Sequence, residues 1–506
     1  VKDATHGPDA AADIEEKAQS TETRSQRPTS EAFKKFIATG WSAPDPTLPE
    51  LLPAAEQAVA RRAALSAQYP GQRLVIPAGG HVVRSNDTDH RFRPHTAFTY
   101  FTGLGVDREP DAVLVMAPTA DGHEAQLFFR PRSPRDSEEF YASARYGELW
   151  IGSRQSLAEI AAETGLEALH LDGLEAAITG DLADVEVRIV ADAATDLTQQ
   201  LNAARDKAGT AGEETVKADE AFAAAISTMR LVKSDWEVDQ LRSAMAATAD
   251  GFDDIIAALP RAIGHERGER VIEGVFAARA REMGNGQGYD AIAASGAHTC
   301  TLHWIRNDGP VRDGDLLLVD AGVEVQTLYT ADITRTIPVS GRFTPAQRRV
   351  YEVVREAADA AMSQIKPGST LAGVHEAAMR VIAERLGEWG LLPVDVEEVM
   401  DREKGGQHRR WVVHGTSHHL GLDVHDCALA DRELYIDGEL TPGMVFTVEP
   451  GLYFRPDDEL VPAELRGIGV RIEDDIVVTA GGYENLSGML PRHPDDVEAW
   501  VTTGRR

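Results

Sequence analysis

Four carboxylates set within or at the ends of apolar, strand-like runs constrain this chain more than any other feature. Asp320 follows Leu316-Leu-Leu-Val319, and Asp332 lies twelve residues on. Glu449 closes Met444-Val-Phe-Thr-Val448, and Glu473 sits in Val470-Arg-Ile-Glu-Asp-Asp-Ile-Val-Val478. A carboxylate carried inside by such a run is costly to bury unless it is paired or binds metal. The stretch Trp411–His425 adds His414, His418 and His425. Imidazole is the commonest neutral metal ligand and a proton carrier near neutral pH. A solvated, His-rich loop would account for three imidazoles alone. Beside the carboxylates they have a second reading, because one imidazole and four carboxylates make a hard, oxygen-rich site for two divalent ions.

A chain of 506 residues is long enough for two or more domains with a real core. A net charge of −31 excludes nucleic acid and anionic membrane as general partners, since phosphate binding needs a basic face. Two cysteines, Cys300 and Cys427, exclude a disulfide scaffold and fit a reducing compartment. Each lies near a candidate site residue, so each is either a nucleophile or a buried bystander. No apolar stretch approaches the ~20 residues of a membrane span. No signal-peptide apolar region is seen at the start, so the expected location is cytoplasmic.

Residues 1–30 carry almost no large apolar side chains and are expected to be disordered or extended. Helical spacing marks 47–69, and strands are expected at 72–77, 98–101, 112–116, 125–129 and 185–190, with helices near 155–164 and 172–178. Strands alternating with helices imply an α/β domain over 31–225. Residues 200–225 read as a helical bridge. Ser234 with Glu237 forms a capping-box pattern that opens a helix, and a second helix covers 268–283. The glycine-rich run 284–288 follows a helix, which argues against a phosphate loop. Further strands are expected at 289–294 and 301–305, at Asp320 and through Ile333, and on segments carrying His418, Glu449 and Glu473. Helices are expected at 345–365 and 370–388, a loop at 393–410, and a tail over 491–506. The blocks 235–340 and 345–478 each run helix then strand, like two halves of one domain over 226–490.

Carboxylates can bridge two metal ions, whose joint action lowers the pKa of a shared water and polarises a carbonyl. Oxygen-dominated ligation suits Mn2+ better than structural zinc; Co2+, Fe2+ or Zn2+ are the substitutes. Arg471, two residues before Glu473, shares its sheet face by the period of two. It serves either to hold a site carboxylate or in a structural ion pair.

Val319-Asp-Ala-Gly322, Tyr329–Thr336, His414-Gly-Thr-Ser-His418, Gly421–Asp426, Thr447–Tyr453 and Gly469–Asp475 together resemble the pita-bread metallopeptidases. That family includes methionine aminopeptidase, prolidase and Xaa-Pro aminopeptidase (aminopeptidase P). The resemblance implies an α/β (α+β) chain: an N-terminal creatinase/aminopeptidase P-like domain, then a pita-bread catalytic domain with a curved antiparallel sheet. It also implies metal ligands Asp320, Asp332, His418, Glu449 and Glu473, with Asp332 and Glu473 bridging two ions. His303 matches a substrate-side histidine. His414 and His425 match the pair at the proline-binding end. Arg93–Gly103 resembles the N-terminal domain of the Xaa-Pro aminopeptidase branch, with Thr99 replacing a frequent bulky aromatic that reaches a neighbouring subunit.

The implied activity is removal of the first residue from peptides with proline second, by a hydroxide activated between two metals. Glu449 is the expected proton acceptor, and a histidine stabilises the oxyanion. The expected partners are peptides with an Xaa-Pro N-terminus, and the expected assembly is a homodimer or homotetramer. The alternatives are prolidase, with Arg409 or Arg410 capturing the proline carboxylate, and a metal-free peptide- or protein-binding pseudoenzyme.

Overall fold

The computed structural model describes residues 28–86 and 88–505, so most of the segment 1–30 lies outside the described residues. The chain divides into two compact units, Val1–Asp219 and Glu220–Arg506.

In the first unit, Arg73–Pro77, Val113–Thr119, Gly122–Phe129, Glu167–His170 and Val187–Ile189 form one mixed sheet. Ala120 and Asp121 close the hairpin that sets Thr119 opposite Gly122. Arg73–Pro77 pairs antiparallel with that hairpin and parallel with Val187–Ile189. Parallel neighbours need a crossover connection, and helices supply it. Val75, Val115, Phe128, Ile178, Ile189 and Leu201 pack in one core.

The strand expected at 98–101 is instead part of a helix, Thr96–Thr102, with every residue buried. Aromatic and β-branched residues mimic a strand, but burial all round lets a helix use the same composition. His95 Nδ1 accepts from the Ala97 N–H at 3.2 Å, and Gly103, at φ +78°, ends the turn. A Cβ on Gly103 would come within 2.3 Å of the Ala55 nitrogen. Thr99 Oγ1 donates to the Leu104 carbonyl at 2.9 Å. The helical bridge is two helices, Thr195–Ala208 and Glu213–Met229, parted after Gly209 at φ +74°.

The second unit carries antiparallel sheets. Ile292–Ser295, Leu316–Ala321 and Ile333–Pro338 form one; Val445–Val448, Asp474–Thr479 and Gly482–Asn485 form another; Gly451–Phe454 pairs with Ile468–Arg471. Leu316–Ala321 and Ile333–Pro338 are buried at every position, so Asp320, Thr334, Arg335 and Thr336 are carried into the interior along with the apolar side chains. Two helix pairs precede these strand groups, Asp235–Ala262 with Gly268–Met283 and Pro345–Ser363 with Leu371–Glu388, and each pair packs together. The box at Ser234 and Glu237 closes in both directions.

Three further expectations differ from the structure. Residues 301–305 are loop, not strand, because Asn307 takes the place of a strand partner. Its Oδ1 accepts from the Ala293 N–H at 2.9 Å, and its Nδ2 donates to the Ala291 carbonyl at 2.8 Å. The 393–410 loop contains a short helix, Val396–Met400, and a 3-10 turn, Gln407–Trp411. The expected tail contains the helix Pro494–Gly504, held by buried Val497 and Val501.

Arg335 and Asp474 form an ion pair at 2.7 Å with both side chains 0% exposed. Arg335 Nη1 also donates to the Glu473 carbonyl at 2.7 Å, tying the pair to a candidate site residue. Arg335→Leu leaves Asp474 buried without this partner and is expected to cost about 3 kcal/mol of stability. Urea unfolding checks this, and an unchanged midpoint would show the pair to be neutral.

Candidate active site

Strand register brings the two aspartates together. Asp320 lies opposite Thr334 on one neighbour and Ile292 on the other, and Asp332 immediately precedes Ile333–Pro338. Gly322 permits the crossing, since a Cβ there would sit 1.7 Å from the Ala331 oxygen. The Tyr289 hydroxyl lies 2.6 Å from Asp320 Oδ1 and 2.5 Å from Asp332 Oδ1.

His418 lies outside the named strands, yet its segment runs against 445–449. Glu449 N donates to the Thr416 carbonyl at 2.8 Å, Thr447 N to the His418 carbonyl at 2.9 Å, and Leu420 N to the Val445 carbonyl at 3.1 Å. His418 Nε2 is thereby 3.3 Å from Asp332 Oδ2 and 3.7 Å from Glu449 Oε1. Its Nδ1 donates to the His419 carbonyl at 3.2 Å, which leaves Nε2 as the free ligand atom. Glu473 occupies the break between Ile468–Arg471 and Asp474–Thr479. Its N–H donates to the Thr334 carbonyl at 3.1 Å, and Thr334 Oγ1 donates to its Oε2 at 2.6 Å.

Asp332, His418 and Glu473 each offer one ligand atom within 4.8 Å of the others. Asp320, Glu449, His303, His414, His425 and Arg471 join them around one cavity of about 490 Å³. Every site residue expected from the sequence therefore faces the same space.

Burial raises the carboxyl of Asp332 above its usual range, although a hydrogen bond from His418 opposes the rise. Burial, then Asp332 and Glu449, hold Glu473 well above its usual value. Glu449 is pushed up to about 7 by burial, against the pull of His418 and Arg471. Burial lowers His418, but the hydrogen bond to Asp332 and the charge of Glu449 win and raise it to about 9. A divalent cation among these donors would relieve the carboxylate repulsion, so the donor set fits a metal.

Arg471 holds a carboxylate, but that of Asp320: its Nη2 donates to Asp320 Oδ2 at 2.5 Å. Arg471 and Glu473 line the same cavity, as their two-residue spacing implies. Arg471 also donates to Thr334 Oγ1 at 3.1 Å and to the Tyr453 hydroxyl at 3.0 Å. That hydroxyl lies 2.9 Å from His414 Nε2, while His414 Nδ1 donates to the Gly415 carbonyl at 2.5 Å. Burial and then Arg471 push His414 down to about 3, so it is neutral at physiological pH. His425 packs edge-on against His418, with ring centres 4.4 Å apart.

His303 stands on an exposed loop that Glu269 organises. The fully buried Glu269 carboxylate accepts from Ser295 N at 2.8 Å, His298 Nδ1 at 2.7 Å, Trp304 Nε1 at 2.9 Å and Gly309 N at 2.6 Å. The cysteines are bystanders. Both are buried, burial raises each thiol to about 12, and neither lines the cavity.

Sequence reasoning missed Tyr289, Thr334, Tyr453, Glu269 and Asp475, whose Oδ2 accepts from the Asp332 N–H at 2.9 Å. Register against Asp320 was a signal for Thr334. Tyr289 and Glu269 carry no local pattern, because they act through the fold.

The metallopeptidase family M24 model matches residues 239–480, and that of the aminopeptidase P N-terminal domain matches 58–190. Xaa-Pro aminopeptidase 1 of Streptomyces coelicolor is 48% identical over 93% of this chain and 92% of its own length. Xaa-Pro aminopeptidase of Escherichia coli is 34% identical over 88% of this chain and 97% of its own. A solved structure of an Escherichia coli aminopeptidase P variant in complex with substrate is 33% identical. It superposes at a TM-score of 0.77, covering 90% of this chain and 100% of that one. With the expected antiparallel catalytic unit and α/β N-terminal unit both present, the chain belongs to metallopeptidase family M24 as a metal-dependent exopeptidase with an aminopeptidase P-type N-terminal domain.

Proposed function

We propose that the chain removes the N-terminal residue from peptides whose second residue is proline, using two divalent ions with Mn2+ preferred. The observation that carries this is the convergence of Asp320, Asp332, His418, Glu449 and Glu473 on one cavity beside three further histidines. The relatives named as Xaa-Pro aminopeptidases support the choice of substrate. Asp332 and Glu473 would bridge, Asp320 would serve one ion, and His418 and Glu449 the other. When bound, the ions supply a polarised carbonyl and an activated water.

The chain's own groups do the rest. Tyr289 and Arg471 fix Asp320, and Thr334 fixes Glu473. Glu449 would take a proton from the attacking water and pass it to the proline nitrogen. His303, His414 and His425 line the same cavity and would meet the substrate, and Ile292, Leu302 and Val424 add apolar wall for a pyrrolidine ring. Proline has no amide N–H and a fixed φ, so its recognition is a matter of shape.

The prolidase alternative needs a free cation for the proline carboxylate. Arg410 is paired with Asp458 at 2.9 Å, and Arg409 donates to the carbonyls of Val413 and His414. Neither lines the metal cavity. The metal-free alternative loses its ground in a chain that keeps all five donors. We further place the enzyme in the cytoplasm as a homodimer or homotetramer, with no nucleic-acid or membrane partner. Its acidity speaks against nucleic acid and anionic membrane as partners, and among the described residues no helix is long and apolar enough to cross a membrane.

Metal-stripped protein is expected to release the first residue of an Xaa-Pro-Xaa tripeptide only after Mn2+ is restored. Product analysis that finds only an Xaa-Pro dipeptide cleaved would move the reading to prolidase. Tyr289→Phe removes a support of two ligands and is expected to weaken metal affinity roughly ten- to hundredfold. Competition with a chelator measures this.

Without metal, the folded-state values of both Glu449 and His418 lie above their ordinary ones. A raised value means the folded state holds protons more tightly, so this stabilisation is present at low pH and lost as pH rises. The Tm of metal-stripped protein is therefore expected to fall from about pH 6 to about pH 9, with added metal restoring more at the upper end. Thermal melts that show an equal gain at both ends would contradict this.

A further inference from the structure

A second cavity, of about 450 Å³, lies in the catalytic unit and shares Gly415 and Ser417 with the metal cavity. Helix Leu371–Glu388 supplies Leu371, His375 and Met379 to its wall, and the 399–409 segment supplies Arg402, His408 and Arg409. Arg432 completes the cationic side. The first two letters of the proposed reaction, the departing residue and proline, are accommodated by the metal cavity. The second cavity has no part in that chemistry.

Three observations show what it suits. Arg402 and Arg432 are exposed guanidinium groups with no hydrogen-bond or ion-pair partner among the described residues, in a chain with 82 acidic side chains. His408 is only 5% exposed, yet its Nδ1 has no partner among the described residues. A buried polar atom of this kind takes its partner from an ordered water or from a bound ligand. Gly415, on the rim shared by the two cavities, is exposed, and a Cβ there would meet nothing closer than the Ser417 oxygen at 4.0 Å. The protein's own packing thus does not demand glycine at this point, and its bare backbone leaves a passage over the rim.

His375 is held by its neighbours: its Nδ1 lies 2.9 Å from Thr416 Oγ1 and its Nε2 3.2 Å from Arg409 Nη1. Glu376, Asp401 and Asp437 also line the cavity, so it is not uniformly cationic. Asp401 Oδ1 is occupied by the backbone N–H groups of Glu403 and Lys404, at 2.9 Å each. What the cavity offers is a few convergent donors set against the apolar wall of Leu371 and Met379, the usual composition of a small-ligand site.

We propose that this cavity receives the C-terminal end of longer peptide substrates, whose α-carboxylate meets Arg402, Arg432 and His408 after the chain crosses Gly415. The inference rests on the aminopeptidase reading above and adds a length and terminus preference to it. A tripeptide ends near the rim, whereas a peptide of five to eight residues reaches across. An extended chain advances about 3.3 Å per residue, so a few residues beyond proline suffice.

The test compares peptides with one Xaa-Pro N-terminus as tripeptide and hexapeptide, each as free acid and C-terminal amide, using the Mn2+-loaded full chain. The hexapeptide acid is expected to have a KM roughly tenfold below its amide, the size of a charge-assisted hydrogen bond. In the Arg402→Ala/Arg432→Ala double variant that acid-to-amide ratio should fall to near one. Equal KM values for acid and amide in the unaltered enzyme would overturn the proposal, as would a ratio unchanged in the double variant. Added acetate or phosphate separates a peptide terminus from a free anion. If either lowers the KM of the amide, the cavity is an anion site and not a subsite for the peptide end. Calorimetric titration of the same acid and amide reads the preference without turnover. Absence of cleavage together with a retained preference would therefore sink the aminopeptidase reading and leave the cavity assignment standing.

Discussion

Mutual repulsion among buried carboxylates is the constraint on which the catalytic unit depends. Asp320, Asp332, Glu449 and Glu473 surround one cavity, and three of them are pushed above their ordinary values. Nothing in a sheet interior favours such a cluster. It persists because its members are tied to the scaffold by neighbouring groups. Arg471 and Tyr289 hold Asp320, Thr334 holds Glu473, and the backbone of 416–420 sets His418 beside Glu449. The Arg335–Asp474 pair, one residue beyond Glu473, secures the strand from the opposite direction. The fold thus keeps an electrostatically costly arrangement in place, ready for cations that offset the cost.

The same logic explains how Arg471 serves several residues at once. Its guanidinium reaches Asp320, Thr334 and the Tyr453 hydroxyl, and that hydroxyl reaches His414. A planar fork with several donors can bind one carboxylate and two hydroxyls in fixed directions, which an ammonium on a flexible stem does less well. The carboxylate side and the histidine side of the cavity are thereby joined through one buried cation.

Much of this was legible in the chain itself. Apolar runs ending in carboxylates pointed to strands and to carboxylates that line one cavity, because burial and charge conflict visibly in a linear sequence. The box at Ser234 and the helix 268–283 were equally plain, since caps and helical spacing are local. What escaped was nonlocal. The helix Thr96–Thr102 has the composition of a strand, and only its burial on all sides decides the matter. The period of two placed Arg471 on the face of Glu473, but which carboxylate it holds, Asp320 on another strand, depends on sheet packing that no spacing reveals. Tyr289 and Glu269 reach the site from other elements, and no spacing announces them.

Asn307 and Glu269 have a bearing on colloidal behaviour as well as on the loop they organise. Ile292–Ser295 is the outer strand of its sheet, and such a margin invites pairing with any passing chain. Here the N–H groups of Ala293 and Ser295 and the carbonyl of Ala291 are taken by these two side chains. The sheet is finished by side chains in place of a further strand, so the margin offers little to an incoming β-segment. The loop bearing His303 is then released from ladder duty and remains open to the cavity. The same contacts cap the strand's outer margin and leave the cavity-lining loop irregular.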